Sequence, residues 1–321
     1  MKIFVTGGAG FIGSEFVRKA LTGGLTNFGI DPTALIVYDA LTYAGNLKNL
    51  KLIENDKRYK FIKGDISDPN ISKVIPQECD LIINFAAESH VDRSIIDPSV
   101  FMKTNVLGTQ NLLECAKKLK VQRYVQISTD EVYGSIPNGT WDESFPVKPN
   151  SPYAASKAAA DLISLAYSKT YGVPVIITRC SNNYGPYQHP EKLIPSFITK
   201  LLQNKPLTLY GNGENIREWI HVSDHVRAIA WLSTNGQIGE VYNIAGNEEK
   251  TNLEITQLLM NEFNDSDSKI EFVSDRLGHD YRYALNGNKL RDLGFKNLVN
   301  FNEGLKSTVR WYRDNLDWFQ L

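Results

Sequence analysis

The sequence predicts an α/β protein with a doubly wound parallel sheet and a smaller C-terminal lobe of mixed α/β structure. Three observations carry this prediction. In the first half of the 321 residues, short β-branched apolar runs alternate with longer helical patterns, as in consecutive βαβ units. A glycine-rich stretch at residues 6–13 follows the first apolar run directly. After about Arg179, the loops become longer and richer in Gly, Pro and Asn.

The first sheet is expected to contain six strands with helices between them. Several of these strands are continuous apolar runs, which is typical of strands that are buried on both faces. The predicted strands cover residues 2–6, 35–38, 59–63, 81–84, 123–128 and 175–179. The predicted helices cover residues 11–21, 106–119 and 152–171.

The second lobe is expected to begin after residue 180, which divides the chain into residues 1–180 and 181–321. One more short strand is predicted at 241–244. The sequence Thr251-Asn-Leu-Glu254 has the form of a capping box and predicts the start of a helix. The position of this boundary is approximate, and residues after 180 can also add strands to the first sheet.

Composition argues against several classes of partner. The net charge is −1, so nothing indicates nucleic acid or an anionic membrane surface. No apolar run approaches the roughly 20 residues of a membrane span, and no signal peptide is expected. The widely spaced cysteines and the histidines show no metal-ligand spacing. We therefore expect a cytoplasmic protein without a metal site.

The glycine-rich stretch predicts a site for a dinucleotide pyrophosphate. Thr-Gly-Gly-Ala-Gly-Phe-Ile-Gly at residues 6–13 lies between the first predicted strand and the first predicted helix. Small residues there allow a phosphate to approach the helix N-terminus closely, as in a Rossmann-type fold. Asp39 ends the second strand, and a carboxylate there accepts hydrogen bonds from ribose and repels a 2′-phosphate, which favours NAD over NADP. A cap or turn role for Asp39 is the alternative.

Two further strand ends predict cofactor contacts. Asp65 and Ile66 follow the third strand, where an acid and an apolar side chain can meet adenine. Ala86 and Ala87 follow the fourth strand and would let a cofactor lie against the backbone. A turn aspartate and simple tight packing are the alternatives at these two places.

The candidate chemical groups follow the fifth strand. Tyr153 and Lys157 are four residues apart and share one face of the predicted helix. A nearby cation favours the phenolate form of a tyrosine, which then acts as a base. Thr129, Asp130 and Glu131 stand just upstream. Because adjacent residues of a strand face opposite ways, both acids reach one site only if the chain leaves strand geometry at Thr129, which we predict. The alternative for the two acids is a solvated loop or a helix cap, and the alternative for Tyr153 with Lys157 is a surface pair on an amphipathic helix.

Together, these motifs resemble the extended short-chain dehydrogenase/reductase superfamily and, within it, the family of dTDP-glucose 4,6-dehydratases. The resemblance extends over almost the whole chain. Asp130 before Glu131 is a fairly specific feature, since related 4-epimerases usually lack the acid pair, and related decarboxylases and GDP-mannose 4,6-dehydratases usually have Ser before the Glu. Leu277 departs from the family pattern, which commonly has Pro. The segments that carry the resemblance are residues 6–13, 86–94, 128–134, 153–157, 181–187, 190–195, 217–225 and 275–283.

The resemblance implies the conversion of dTDP-glucose to dTDP-4-keto-6-deoxyglucose and water. Tyr153 would take the proton of the C4 hydroxyl while NAD+ takes the C4 hydride, and Thr129 would hold the C4 oxygen. Glu131 would remove the C5 proton, and Asp130 would protonate the leaving C6 hydroxyl. An acid role for Asp130 requires a raised pKa, which burial beside another carboxylate would produce. The hydride would return to C6 and C5 would be reprotonated, so the NAD is recycled and should stay tightly bound.

The resemblance also implies a set of contacts and a homodimer built around the helix that carries Tyr153 and Lys157. The implied cofactor contacts are Gly7, Gly10, Phe11, Ile12, Gly13, Asp39, Ala40, Leu41, Thr42, Asp65, Ile66, Phe85, Ala86, Ala87, Ser89, Thr104, Tyr153, Lys157 and Asn183. The implied substrate contacts are Ser89, Thr129, Asn182, Lys192, Leu193, Thr208, Tyr210, Arg217, Asn252, Arg276, His279 and Tyr283.

Two alternatives stay open. Another nucleotide-sugar enzyme of the same fold, either a UDP-glucuronate decarboxylase or a dehydratase for a different nucleotide, would use much the same residues. A non-enzymatic NAD-binding regulator would be expected to lack Tyr153 or Lys157, and this chain has both. The loop at 139–143, which contains Trp141, has no predicted role.

Overall fold

The computed structural model describes residues 1–264, 269–275 and 278–319. Its strands are β1 (Lys2–Thr6), β2 (Ala34–Asp39), β3 (Tyr59–Lys63), β4 (Leu81–Asn84), β5 (Arg123–Thr129), β6 (Val175–Cys180), β7 (Asn182–Tyr184), β8 (Leu207–Tyr210), β9 (Ile216–His221), β10 (Val241–Ile244), β11 (Glu249–Thr251) and β12 (Ile270–Val273). Within these described residues, the main sheet has seven parallel strands in the order β10-β6-β5-β4-β1-β2-β3.

The helices connect these strands and build much of the C-terminal part. They are α1 (Phe11–Leu21), α2 (Val91–Ile96), α3 (Ser99–Phe101), α4 (Thr109–Leu119), α5 (Pro152–Tyr171), α6 (Leu193–Leu202), α7 (Val222–Asn235), α8 (Asn252–Glu262), α9 (Asn288–Asp292), α10 (Phe301–Asp314) and α11 (Leu316–Phe319). A π-helical segment covers Met102–Gly108, and short 3-10 helices cover Thr26–Phe28, Leu47–Ile53, Ile71–Lys73 and Asp130–Tyr133.

Helices cover both faces of the main sheet. Val17 of α1 and Ile229 of α7 share one buried core with Val5 of β1. Leu113 of α4 belongs to a second core that contains Phe4 of the same strand. Since adjacent strand residues point to opposite faces, the two cores lie on the two sides of the sheet. The prediction of a doubly wound parallel sheet is confirmed.

The predicted strands of the first sheet and the helices between them begin and end within one residue of the observed bounds, with one exception. The predicted helix at 106–119 is α4 preceded by the π-helical segment, which begins at Met102. Asn105 in this segment is buried, and its side-chain amide donates to Glu88 O at 3.0 Å and to Ser156 Oγ at 2.8 Å. These are tertiary contacts, which helical periodicity does not reveal.

The C-terminal part extends the main sheet and also builds a separate layer. β10 pairs in parallel with β6, so one strand of the main sheet comes from beyond residue 180. β11, β9 and β7 form a second sheet, and β12 pairs with β8; α6, α8 and α10 supply the core beside them. The predicted capping box is present at the start of α8. The side chain of Thr251 accepts a hydrogen bond from Glu254 N, and the side chain of Glu254 accepts one from Thr251 N. The division at residue 180 stays a prediction.

None of the helices in the described ranges combines the length and the apolar character that crossing a membrane requires.

Candidate active site

A cavity of about 360 Å³ opens at the carboxyl ends of the parallel strands, where open α/β sheets bind their ligands. Its walls come from the glycine-rich turn after β1, the ends of β2 to β6, the first turns of α5 and residues 188–194. The cavity therefore joins the main sheet to the beginning of the C-terminal part.

The glycine-rich turn forms one wall because its backbone lies too close to other backbone for side chains. Gly7 has a φ of +66°, and a Cβ on it would lie 2.5 Å from Ala86 N. A Cβ on Gly13 would overlap Gly7 O. Gly10 caps α1 without a side-chain hydrogen bond, so the first N–H groups of this helix remain available to an anion. This is the geometry expected of a pyrophosphate site.

Asp39 holds the glycine-rich turn and also lines the cavity. Its Oδ2 accepts a hydrogen bond from Ala9 N at 2.9 Å, and its Oδ1 accepts one from Leu41 N at 2.8 Å. Burial raises the pKa of Asp39, and these two hydrogen bonds oppose the effect. Asp39 thus has the turn role that the sequence left open, and its contact with a ribose stays a prediction.

The other predicted cofactor residues lie together. Leu41 is not in the cavity wall, and it contributes its N–H to Asp39 instead. The cavity wall contains Gly7, Gly10, Phe11, Ile12, Gly13, Asp39, Ala40, Thr42, Asp65, Ile66, Phe85, Ala86, Ala87, Ser89, Thr104, Tyr153, Lys157 and Asn183.

The acid pair lies on a turn that begins where β5 ends. β5 ends at Thr129, and a 3-10 helix covers Asp130–Tyr133. Thr129 caps this helix, its Oγ1 accepting a hydrogen bond from Glu131 N at 3.3 Å. The predicted departure from strand geometry is confirmed, and as a result Thr129, Asp130 and Glu131 all line the cavity.

The surroundings of Asp130 favour its protonated form. The residue is only 2% exposed, and its Oδ1 accepts a hydrogen bond from Thr129 Oγ1 at 3.1 Å. Burial, followed by the charges of Glu131 and Glu218, raises the pKa of Asp130 well above its usual range, against smaller effects of Thr129 and Arg217. Within the described chain, Oδ2 has no hydrogen-bond partner. A proton on this oxygen is therefore available to a group in the cavity.

Tyr153 and Lys157 line the cavity from the first turns of α5. Lys157 Nζ is buried and donates to Ile127 O at 2.5 Å. Burial lowers the pKa of Lys157, and Asp161 acts against this.

The environment of Tyr153 differs from the expectation in one respect. Burial, and after it the charge of Glu131, raises the pKa of Tyr153 well above its usual range. The spacing from Lys157 indicates a shared helix face, but it does not reveal how deeply the phenol is buried. The side chains of the protein thus favour the neutral phenol, and additional positive charge is needed to favour the phenolate.

Five of the predicted substrate residues lie in the cavity wall, namely Ser89, Thr129, Asn182, Lys192 and Leu193. Lys192 begins the segment that leads into α6, and its Nζ donates to Ser89 O at 2.8 Å. Asn182 Oδ1 is buried with no hydrogen-bond partner within the described ranges. An unsatisfied acceptor at a cavity wall is suited to a ligand hydroxyl.

Six of the remaining predicted substrate residues lie outside this cavity wall. Arg217 is buried, and its guanidinium donates to Asp280 O at 2.9 Å and lies 4.5 Å from the centre of the Tyr283 ring. His279 Nδ1 lies 2.6 Å from Asp275 Oδ1. The other members of this group are Thr208, Tyr210 and Asn252. Arg276 and the departure at Leu277 lie outside the described residues.

Sequence reasoning missed several residues of the cavity wall. Glu191 is one of them, and its carboxylate lies 3.9 Å from Arg93 and from Lys192. Burial raises the pKa of Glu191, while these two cations lower it. Glu191 lies in residues 190–195, one of the segments that carry the family resemblance, so the sequence did contain a signal for this residue. The missed wall residues are Tyr38, Ala44, Gly45, Gly64, Glu88, Ile127, Ser128, Cys180, Ser181, Gln188, His189, Glu191, Ile194 and Trp219.

The loop that had no predicted role packs behind the acid turn. Trp141 is 5% exposed, and its ring stacks on that of Tyr133 at 5.4 Å between centroids and 17° between planes. Its backbone donates to Ala284 O at 3.0 Å and accepts from Asn286 N at 2.7 Å. The loop therefore links the acid turn to the C-terminal part.

Comparisons with known proteins agree with this arrangement. Residues 4–308 match the family model described as GDP-mannose 4,6 dehydratase. The chain is 51% identical, over its full length and 95% of the relative, to a dTDP-glucose 4,6-dehydratase from Streptomyces niveus.

Two solved structures are similar over nearly the whole chain. The dTDP-glucose 4,6-dehydratase DesIV from Streptomyces venezuelae, determined with NAD bound, superposes with a TM-score of 0.97 at 53% identity, covering 100% of this chain and 99% of that one. A UDP-glucose 4-epimerase from Thermus thermophilus in complex with NAD superposes with a TM-score of 0.89 at 30% identity, covering 98% and 100%.

Proposed function

The chain belongs to the GDP-mannose 4,6-dehydratase family, and we propose that it is a dTDP-glucose 4,6-dehydratase, an NAD-dependent hydro-lyase. It converts dTDP-glucose to dTDP-4-keto-6-deoxyglucose and water. Curated relatives with this activity are 51% and 48% identical to the chain over 100% and 99% of its length.

The observation that carries this proposal is the buried Asp130 beside Glu131 in the same cavity wall as Tyr153. Oxidation and reduction at C4 alone, as in an epimerase, require a tyrosine and a hydride acceptor. Elimination of water requires in addition a base at C5 and an acid at the leaving hydroxyl. Two carboxyls in different surroundings can divide these roles, since burial keeps one of them protonated.

The residues present fit NAD. The glycine-rich turn allows a pyrophosphate to approach the N-terminus of α1, and Asp39 stands at the end of β2, as an acid for the adenosine ribose would. When bound, NAD supplies a hydride acceptor and then a hydride donor, so that no net oxidation takes place. Residues from six strand ends surround this space, which supports tight retention of the cofactor.

Tyr153 takes the proton of the C4 hydroxyl in this proposal. Burial opposes the phenolate, so the ammonium of Lys157 and the positive charge of the oxidised cofactor have to offset it. Thr129 holds the C4 oxygen from the end of β5. The ketone formed at C4 acidifies the proton at C5.

Glu131 and Asp130 carry out the elimination. Glu131 removes the C5 proton, and Asp130 delivers the proton from its carboxyl to the C6 hydroxyl, which leaves as water. A proton returns to C5 when C6 is reduced, which gives the 4-keto-6-deoxy product. The raised pKa of Asp130 supports the acid role. The short 3-10 turn supports the shared task, because it brings both carboxyls to one cavity wall.

The substrate is proposed to extend from this cavity into the C-terminal part. Ser89 and Asn182 contact the sugar, and Lys192 and Leu193 contact the nucleotide. Arg217 and Arg276 serve the diphosphate, for which guanidinium donors are suited. The positions Thr208, Tyr210, Asn252, His279 and Tyr283 complete the proposed nucleotide side.

We also infer that the enzyme is a cytoplasmic homodimer. The three cysteines are unpaired and buried, which agrees with a reducing compartment. Ile96, Leu107 and Leu162 are 84%, 57% and 54% exposed. They belong to α2, the π-helical segment and α5, and the first two of these elements pack against α5. An exposed apolar face of this kind fits a second copy of the chain; light scattering of the purified protein tests it, and a monomer at all concentrations would contradict it.

The deciding experiment is mass spectrometry of the products after the purified protein is incubated with dTDP-glucose, with UDP-glucose and GDP-mannose in parallel. Loss of one water from dTDP-glucose alone, without added NAD+, supports both the activity and the retained cofactor. Loss of water from another nucleotide sugar overturns the substrate. No loss from any of them, with NAD+ supplied, overturns the dehydratase and directs attention to a decarboxylase or an NAD-binding regulator.

A further inference from the structure

A buried ion pair lies next to Lys157 but outside the cavity wall. Asp161 follows Lys157 by one turn of α5, and Arg179 lies on β6. Arg179 Nε donates to Asp161 Oδ2 at 2.9 Å, and the two side chains are 4% and 0% exposed. A buried ion pair contributes little to stability on average, because both charges lose their hydration. Its position therefore raises the question of what else it does.

The pair acts on Lys157 through the charge of Asp161. Burial favours the neutral amine of Lys157, and Asp161 is the first of the groups that favour the ammonium. The groups whose charge favours the ammonium of Lys157 are Asp161 on its own helix and Cys180 on β6. Tyr153 lies one turn earlier on the same helix, and β5 presents the carbonyl of Ile127. Without Asp161, the buried ammonium of Lys157 would lose the negative charge that stabilises it in this low-dielectric interior.

The same pair reaches the acid turn through Arg179. Its Cζ lies 4.7 Å from the centre of the Tyr133 ring, and Tyr133 is the last residue of the 3-10 helix that carries the two acids. Tyr133 is also held by its hydroxyl, which donates to Asn243 Oδ1 at 3.0 Å, and by the stacked ring of Trp141. The guanidinium thus packs on the turn whose backbone places Asp130.

We propose that Asp161 and Arg179 are positioning residues of the reaction: Asp161 keeps Lys157 in its charged form, and Arg179 keeps Asp161 ionised while packing on the acid turn through Tyr133. The inference rests on the proposed function. It assigns electrostatic effects of the same sign on Lys157 to the two partners. Removal of Asp161 takes the carboxylate away, and removal of Arg179 leaves a buried carboxyl that takes up a proton.

The test is the pH profile of C4 oxidation in the purified holoenzyme. The probe is dTDP-6-deoxyglucose, which lacks the C6 hydroxyl and so can be oxidised at C4 but cannot lose water. Its oxidation appears as NADH absorbance in a single turnover. In Asp161→Asn we expect the alkaline limb of the profile to move to lower pH, with about a tenfold loss of rate where the wild type begins to decline. In Arg179→Gln we expect the same limb to move to lower pH as well, because the buried Asp161 takes up a proton when its cation is absent.

Shifts of the limb to lower pH in both variants support the proposal, because general damage to the fold would lower the rate without moving the limb. A shift to higher pH in either variant, or no shift, would overturn it. If a single variant does not fold, the paired variant Asp161→Asn/Arg179→Gln must shift as Asp161→Asn does, and an unchanged profile there also overturns the proposal. Ser164→Ala, a loss of a buried hydroxyl on the same helix, is the matched control and should keep the wild-type profile. Water loss from dTDP-glucose by the wild type tests the proposed function separately.

Discussion

The two sides of the cavity are built in different ways. The cofactor side consists mainly of backbone: glycines too close to other backbone for a side chain, helix N–H groups, and small residues at strand ends. The reaction and substrate side depends on buried charged side chains, which are Asp130 and Lys157 in the cavity wall and Arg217 and Glu218 outside it. The first kind of site tolerates little change in shape, and the second depends on charge. Substitutions that alter either property separately can test this contrast.

The largest expected effect is on the reaction side, in Asp130→Asn. The amide keeps the shape but cannot supply a proton, so we expect dehydration to fall by about 10²–10⁴-fold. Oxidation at C4 should persist, and NADH should accumulate when dTDP-glucose is added. Absorbance and mass spectrometry of the same samples measure both. Asp314→Asn, at an exposed position of α10, is the control, and an unimpaired Asp130→Asn would exclude the acid role.

A second effect of charge should appear in the pH dependence of stability. Burial raises the pKa of Glu218 to about 7, and its carboxylate accepts hydrogen bonds from Asn247 N at 2.7 Å and Leu285 N at 3.0 Å. The folded protein keeps this proton up to about pH 7, whereas an unfolded chain loses it near the ordinary value of 4.5. The contribution of Glu218 to stability therefore falls as the pH rises through this range.

Glu218→Gln removes this dependence. Between these two pH values, the free energy of unfolding of the wild type should fall by on the order of 3 kcal/mol relative to that of the variant, since one pKa unit corresponds to about 1.4 kcal/mol. Urea unfolding of both proteins at several pH values measures the difference. Glu303→Gln, at a side chain that is 74% exposed, should run parallel to the wild type. A Glu218→Gln curve that also runs parallel would show that this carboxyl is not perturbed.

On the cofactor side, shape rather than charge should matter. The methyl group in Gly13→Ala would overlap Gly7 O, and such overpacking costs about 1–3 kcal/mol. We therefore expect NAD affinity to weaken roughly ten- to a hundredfold, with less cofactor retained on purification. The ratio of nucleotide absorbance to protein absorbance in the purified sample measures the retained NAD. Gly24→Ala, whose new methyl group would be at least 3.5 Å from its neighbours, should retain NAD; equal retention in Gly13→Ala would contradict the proposed turn.

The smallest expected effect concerns the proposed diphosphate contact. Arg217→Lys keeps the charge but loses the planar donor fork, so we expect KM for dTDP-glucose to rise about tenfold with little change in kcat. Steady-state kinetics and a melting curve together separate binding from folding. A lowered kcat with an unchanged KM would place Arg217 with the reaction side instead.

Much of this molecule was predictable because the relevant signals are local. The strands of the first sheet, α1, α5 and the glycine-rich turn follow from periodicity and residue size over a few neighbours. The departure from strand geometry at Thr129 followed from the requirement that two adjacent acids share one site. The π-helical segment was not predictable, since Asn105 owes its partners to residues far away in the sequence.

The sequence by itself determined the doubly wound sheet, the cofactor turn and the identity of the groups that can exchange protons. Only the tertiary structure decided their protonation and their support: the burial of Asp130, the raised pKa of Tyr153, the pairing of β10 with β6, and the placement of Arg179 between Asp161 and Tyr133. The physical reason is that propensity and spacing act over a few residues, whereas desolvation and charge pairing depend on what segments distant in the chain place around a group.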